Sequence, residues 1–275
     1  MPELPEVETV RARLEPKLVR RRLERVEIYD GRLTRPFDPA EVAAELQGER
    51  VVALDRRGKY LVVRFESGRV LLIHLRMTGQ LLHANGGSPS ADDAHLRAVV
   101  RLDDGSDVIY RDVRRFGTWL LVEPGELDPY LDARVGGEPL GPDFTARRLS
   151  EALAGRRAPV KAVLLDQRRL AGVGNIYADE ALWRARIHPL RPAGELSDGE
   201  VRALHRGIRS ALKAGIARQG ATLSTYRTPD GSRGRMQHEF KVYGRLDQPC
   251  ERCGTPIEKI RAAGRGTWFC PKCQA

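Results

Sequence analysis

Apolar residues recur at Val7, Val10, Leu14 and Leu18, a spacing that keeps one helix face apolar and predicts a helix from residue 5 to about residue 19, just after an N-terminal strand or turn. From Val51 to Glu123 the period changes. Residues 61–65, 70–75, 96–102 and 108–111 are apolar or alternating runs rich in valine, broken by turn sequences such as Glu66-Ser67-Gly68 and Asp103-Asp104-Gly105. Antiparallel strands are expected there. Residues 124–143, with Gly136, Gly137, Pro139, Gly141 and Pro142, read as a linker. Beyond it the helical period returns: Pro159 opens a helix carrying Val160, Val163 and Leu164, and Ser197 with Glu200 forms a capping box ahead of Val201, Leu204, Ile208, Leu212 and Ile216. Between them, LAGVGNIYADEALW puts Gly172 and Gly174 in a tight turn with Asn175 just before a further helix. Asn175 is there either an N-cap or part of a helix start whose N–H groups receive an anion.

Composition and charge add a partner class. At 275 residues the chain can bury one large core or two modest ones, and two domains are expected. A net charge of +10 and a pI near 9.8 suit a polyanion, nucleic acid before an anionic membrane surface. No apolar run approaches the roughly 20 residues that span a bilayer, and the acidic start lacks the features of a signal peptide, so a cytoplasmic protein is expected.

Cys250, Cys253, Cys270 and Cys273 form two C-x-x-C pairs separated by 16 residues. That spacing suits a four-thiolate zinc site or, in an oxidising compartment, two disulfides; the lack of a secretion signal favours one structural Zn2+ with no open coordination position. Between the pairs, residues 257–260 and 267–269 read as strands joined by the turn Ala263-Gly264-Arg265-Gly266. Arg265 is either a solvated charge or a group shaped for phosphate or a base edge. From pattern alone Lys59 and His74 are ordinary strand residues, and Met77 and Phe116 are core residues. The opening MPELPEVETV fits a helix start, with proline in the first turn and acidic side chains near the positive end of the dipole, but Pro2 and Glu3 are left without a reason.

A resemblance supplies one. MPELPEVETV, RRGKYL at 56–61, HLRMTG at 74–79, DVRRFG at 112–117, LLDQRRLAGVGNIYADEAL at 164–182 and GRGTWFCPKCQ at 264–274 together resemble bacterial formamidopyrimidine-DNA glycosylases, of the family shared with endonuclease VIII. The resemblance covers almost the whole chain. It implies an α+β, two-domain fold: an antiparallel β-sandwich flanked by helices at 1–130, a linker at 131–144, a helix-two-turn-helix domain at 145–240 and a zinc hairpin at 241–275. It further implies a monomeric bacterial base-excision repair enzyme, cytoplasmic and on the nucleoid when bound to DNA. Such an enzyme removes 8-oxoguanine opposite cytosine and formamidopyrimidines from double-stranded DNA, then cleaves the abasic site by β,δ-elimination.

The family's roles fall on particular residues. Pro2, freed of Met1, would be the Schiff-base nucleophile, and Glu3 the proton shuttle. Glu6 would support the site or serve as a first-turn charge. Lys59, His74, Arg265 and Asn175 would meet phosphates, and Arg115 the DNA backbone. Met77, Arg114 and Phe116 would fill the gap left by an everted base. Residues 223–239 look like the loop that closes over that base, or else a plain connection. Arg76 and Val113 depart from the family pattern, which has glycine and proline there. Two rivals remain: an endonuclease VIII-like enzyme for oxidised pyrimidines, and a non-catalytic zinc protein that binds damaged DNA.

Overall fold

The computed structural model describes residues 1–86 and 93–274. It divides into two compact units, one of Met1–Leu131 with Arg218–Arg235, the other of Asp132–Ala217 with Met236–Ala275. The segment Arg218–Arg235, grouped by the sequence with the helical domain, thus packs with the first unit.

In the first unit α1 (Leu4–Leu18) begins directly after an extended Glu3, with no strand before it. Proline in the first turn needs no N–H partner, and Val7, Val10 and Leu14 are each 1 % exposed on the inward face. A helix α2 (Pro39–Leu46) and two antiparallel sheets follow. One has the order β1 (Leu23–Ile28), β6 (Leu96–Leu102), β7 (Asp107–Asp112), β5 (Gly79–Ala84); the other has β2 (Val51–Arg57), β3 (Tyr60–Phe65), β4 (Val70–His74), β8 (Thr118–Val122). Their inner faces share one core that includes Val26, Val100 and Tyr110 from the first sheet, Leu54, Leu61, Ile73 and Trp119 from the second, and Leu14 from α1. Burying each such side chain contributes about 1.5–3 kcal/mol.

The order of strands decides what stands at one end of this sandwich. The chain crosses between sheets three times, from β1 to β2 by way of α2, from β4 to β5 through residues 75–78 and from β7 to β8 through residues 113–117. Gly79 pairs with Asp112, and His74 with Thr118, so the last two crossings run side by side. Within the stretch read as a linker, Leu127–Asp132 forms a short helix, α3, that buries Leu127 and Leu131.

The second unit is helical: α4 (Ala146–Leu153), α5 (Val160–Leu165), α6 (Asn175–Ala185) and α7 (Asp198–Ala217). The capping box at the head of α7 forms as expected, with Ser197 N–H donating to Glu200 at 2.8 Å and Glu200 N–H to Ser197 Oγ at 3.3 Å. A hairpin of β9 (Glu258–Ala262) and β10 (Arg265–Phe269) closes the unit. Its turn is shorter than the sequence indicated: only Ala263 and Gly264 lie outside the strands, both at positive φ (49° and 72°), which puts Arg265 at the head of a strand.

Candidate functional site

Each unit brings together part of the expected constellation. In the first, Pro2, Glu3 and Glu6 are all buried at the head of α1, the two carboxylates at 3 % and 2 % exposure, while Met1 is exposed. Glu6 does more than complement the dipole. Its Oε2 accepts the Glu3 N–H at 2.8 Å and its Oε1 accepts the Ala221 N–H at 2.8 Å, so one carboxylate ties the helix start to the returning segment Arg218–Arg235. Gly220 sits against it at φ +76°, where a Cβ would lie 2.7 Å from Glu6 Cγ. The Tyr226 hydroxyl also reaches this corner, donating to Gln219 O at 3.1 Å.

Lys59 is 6 % exposed in the tight turn between β2 and β3. That turn is held beside α1 by Arg56, whose Nε meets Glu8 at 3.0 Å and whose Nη1 donates to Gly58 O at 2.9 Å. His74 stands across from Tyr60 in the β3–β4 register, with the rings edge to face at 4.7 Å. Burial, reinforced by the charges of Arg76 and Lys59, holds the imidazole down at a pKa of about 3, so it is neutral at physiological pH. Its Nδ1 accepts the Arg76 N–H at 3.0 Å, which leaves the proton on Nε2 as a donor.

Met77, Arg114 and Phe116 converge on the two adjacent crossings 75–78 and 113–117. The Arg114 guanidinium lies over the Phe116 ring at 4.8 Å and its Nη1 is 2.9 Å from Met77 Sδ. Met77 is 40 % and Phe116 51 % exposed, against the expectation of core residues from pattern alone. Such an exposed apolar cluster has a reason only if something covers it. Arg115, at φ 59°, is gripped instead by Asp30, its Nε and Nη2 donating at 2.6 and 2.8 Å, which holds the Asp30 carboxyl below the usual range. Arg76 takes φ 52°, the left-handed conformation that glycine would adopt freely, and Val113 is exposed. Beside these crossings a depression of about 300 Å3 has Gln80, His95, Arg111 and Val113 on one wall and Ser224, Thr225 and Arg227 on the other. Residues 223–235 are laced by local bonds, such as Thr228 Oγ1 to Ser232 O and Gly234 N to Thr222 Oγ1.

In the second unit Asn175 is the first residue of α6, and Gly174 occupies the cap position. The Asn175 Oδ1 accepts no hydrogen bond among the described residues, so the side chain caps nothing; Nδ2 donates to Gly266 O at 2.9 Å, on the strand that Arg265 begins. Two residues the sequence reading missed strengthen this joint. Lys161 and Asp179, both 0–1 % exposed, pair at 2.6 Å; Lys161 also donates to Thr267 Oγ1 at 2.7 Å and Asp179 accepts Trp268 N–H at 3.1 Å. Burial pushes the Asp179 carboxyl up to about 7 while the lysine pulls it down. Glu180 Oε1 gathers the N–H groups of Lys241, Val242 and Tyr243 at 2.8–3.2 Å. The signal available in sequence was a lysine in the apolar run of α5 and two acids amid the apolar residues of α6. Arg265 itself is exposed.

The four cysteine Sγ atoms lie within 4.8 Å of one another, Cys253 to Cys270 at 3.5 Å and Cys250 to Cys273 at 4.0 Å. Tetrahedral zinc with bonds of about 2.3 Å spaces its sulfurs about 3.8 Å apart, whereas a disulfide needs about 2.05 Å. The donor set fits zinc, and Trp183 Nε1 donates to Cys250 Sγ at 3.5 Å from the surrounding apolar shell. The zinc is structural.

A β-sandwich, a helical unit and a four-thiolate zinc hairpin, in a chain of net charge +10, define a zinc-bearing DNA-binding protein. Residues 1–119 match the formamidopyrimidine-DNA glycosylase N-terminal domain, residues 135–227 the formamidopyrimidine-DNA glycosylase H2TH domain, and residues 247–275 the zinc finger found in FPG and IleRS. Formamidopyrimidine-DNA glycosylases of Symbiobacterium thermophilum and a Roseiflexus species are 49 % and 47 % identical over all of this chain and 89 % and 100 % of theirs. Lactococcus lactis Fpg structures, 38 % identical with 99 % of both chains covered, superpose at TM-scores of 0.92 for a mutant with Fapy-dG-containing DNA and 0.91 each for complexes with abasic-site DNA and with oxidised-pyrimidine DNA. The chain belongs to the formamidopyrimidine-DNA glycosylase family, whose members are DNA glycosylases with AP lyase activity.

Proposed function

We propose that this enzyme excises oxidised purines from duplex DNA, 8-oxoguanine opposite cytosine and formamidopyrimidines foremost, and then cuts the abasic site by β- and δ-elimination with the Pro2 amine as nucleophile. The observation that carries this is the burial of Pro2 with Glu3 and Glu6 at the head of α1 in a chain of this family. Removal of Met1 turns an amide nitrogen into a secondary amine, which attacks C1′ of the sugar as the damaged base departs. The resulting iminium acidifies the C2′ proton. Glu3 carries protons between the sugar oxygen and the leaving groups. Glu6, with both oxygens committed to backbone N–H groups, fixes the position of the proline without entering the chemistry.

The remaining residues handle the duplex. His74, as a neutral Nε2 donor, and Lys59, as a cation, supply phosphate contacts from the first unit; Arg265 and Asn175, joined through the hairpin, supply them from the second. Met77, Arg114 and Phe116 occupy the space the flipped base leaves, and the depression walled by Ser224, Thr225 and Arg227 receives the base itself. Arg115, held by Asp30, shapes its loop and approaches the DNA backbone only from its exposed edge.

The test is borohydride trapping on a duplex carrying 8-oxoguanine opposite cytosine, with protein shown by mass spectrometry to lack Met1. A covalent adduct that disappears in Pro2→Gly supports the amine mechanism. Tight binding without an adduct would instead mark a damage-binding protein. The Lactococcus lactis complex with oxidised-pyrimidine DNA favours a second reading of the substrate range. Excision of thymine glycol faster than 8-oxoguanine would make that reading the correct one.

A further inference from the structure

One buried carboxylate joins the two crossings that carry Met77 and residues 114–116. Asp112, the last residue of β7, is 1 % exposed. Its Oδ2 accepts the Gly117 N–H at 2.7 Å, and its Oδ1 accepts the Arg114 N–H at 3.2 Å together with the hydroxyl of Thr78. Thr78 Oγ1 accepts from the same Arg114 N–H at 3.0 Å. Loop 113–117 is therefore wound around Asp112, and Thr78, the neighbour of Met77, fastens the other loop to it.

Beneath the pair lies Tyr110. A Cβ on either Gly79 or Gly117 would collide with the Tyr110 hydroxyl, so both loops leave their strands pressed onto one buried ring. Arg76 and Arg115, one in each loop, are held at φ 52° and 59°, the first through its N–H to His74 and the second through its guanidinium to Asp30. Two non-glycine residues persist in that region only where surrounding contacts dictate it.

We propose that Asp112 and Thr78 are positioning residues that lock the two loops into one wedge, so that Met77, Arg114 and Phe116 enter the duplex together. The proposal rests on reading those three side chains as gap fillers. Their registration is a property of the hydroxyl–carboxylate clasp, because each loop alone would lose conformational freedom on inserting, and a wedge assembled beforehand does not. Its consequence falls on eversion and on discrimination of the partner base that Arg114 faces, and much less on an abasic site, where no base has to be removed.

The experiment compares Thr78→Val, Thr78→Ser and Asp112→Asn with the wild type. For each, single-turnover excision of 8-oxoguanine opposite cytosine and opposite adenine is measured, with borohydride trapping on a preformed abasic site and the melting temperature. The expected result is that Thr78→Val slows excision about tenfold and narrows the cytosine-over-adenine preference, while trapping on the abasic site changes less than about threefold, and Thr78→Ser restores both. Asp112→Asn moves the same ratios further. Excision and trapping falling in parallel with the melting temperature would overturn the proposal in favour of a structural role, as would Thr78→Val with wild-type excision and partner preference. A wild type that neither excises nor traps would bring down the glycosylase reading, and this one with it; a wild type active on both substrates with unaltered variants brings down only this one.

Discussion

At the scale of single residues, the backbone explains what composition did not. Arg76 occupies a left-handed position at φ 52°, where a Cβ costs about 1–2 kcal/mol relative to a right-handed conformation. Arg76→Gly is expected to raise stability by up to about 1 kcal/mol in urea titrations, the relief being partly offset by the greater freedom of glycine in the unfolded chain. His74 gives a pH dependence with a definite sign. The unfolded imidazole takes a proton near 6.5 and the folded one near 3, so between those values the unfolded chain holds more protons and stability falls as pH drops. The slope contributed is at most about 1.4 kcal/mol per pH unit. His74→Asn, which keeps an acceptor for the Arg76 N–H, should flatten the urea midpoint between pH 7 and pH 5. For Glu6→Gln, one of the two backbone N–H partners loses its carboxylate, at about 1–3 kcal/mol, and trapping should slow along with it.

At the scale of elements, the anchoring of the hairpin on α6 is the part most sensitive to a single change. Lys161→Met leaves Asp179 buried without its cation and is expected to cost about 3–5 kcal/mol by thermal denaturation. Adding Asp179→Leu should recover most of that loss, because the penalty belongs to the unpaired charge. The strands show why pattern reading stops short. β1 lies outside the stretch read as strands, and its register shifts between Leu23 and Arg25, so the alternation that marks a strand is broken by an extra residue; β6 has a like shift between Leu96 and Ala98, but five of its seven residues are buried and its apolar run was legible. α6 was legible from the glycine turn before it and not from a period: nine of its 11 residues are buried, and an element buried on most sides has no polar face to read.

For the whole molecule, the net charge of +10 makes DNA affinity depend on salt. Arg265→Ala should lower the slope of log K against log salt by about 1 if its guanidinium takes one phosphate, with no change in zinc content. Chelation of the zinc acts on a larger piece. The four thiolates lose the ion that holds them within 4.8 Å, the hairpin opens, and binding to abasic-site DNA should fall while the β-sandwich keeps its own melting transition.

What the sequence determined alone was whatever local spacing carries: the helix after Pro2, the valine-rich strands, the capping box at Ser197 and Glu200, and the four thiolates, whose two C-x-x-C spacings admit few other geometries. Through its resemblance it also proposed a nucleophile and a set of gap fillers. Only the tertiary structure decided that residues 75–78 and 113–117 run side by side, that Asp112 and Thr78 clasp them, that Glu6 spans from α1 to Ala221, and that Lys161 meets Asp179. Each of these joins residues far apart in the chain through a polar group taken out of water. Such a group reads in sequence as an ordinary surface charge, and it acquires its meaning when burial forces it to find a partner.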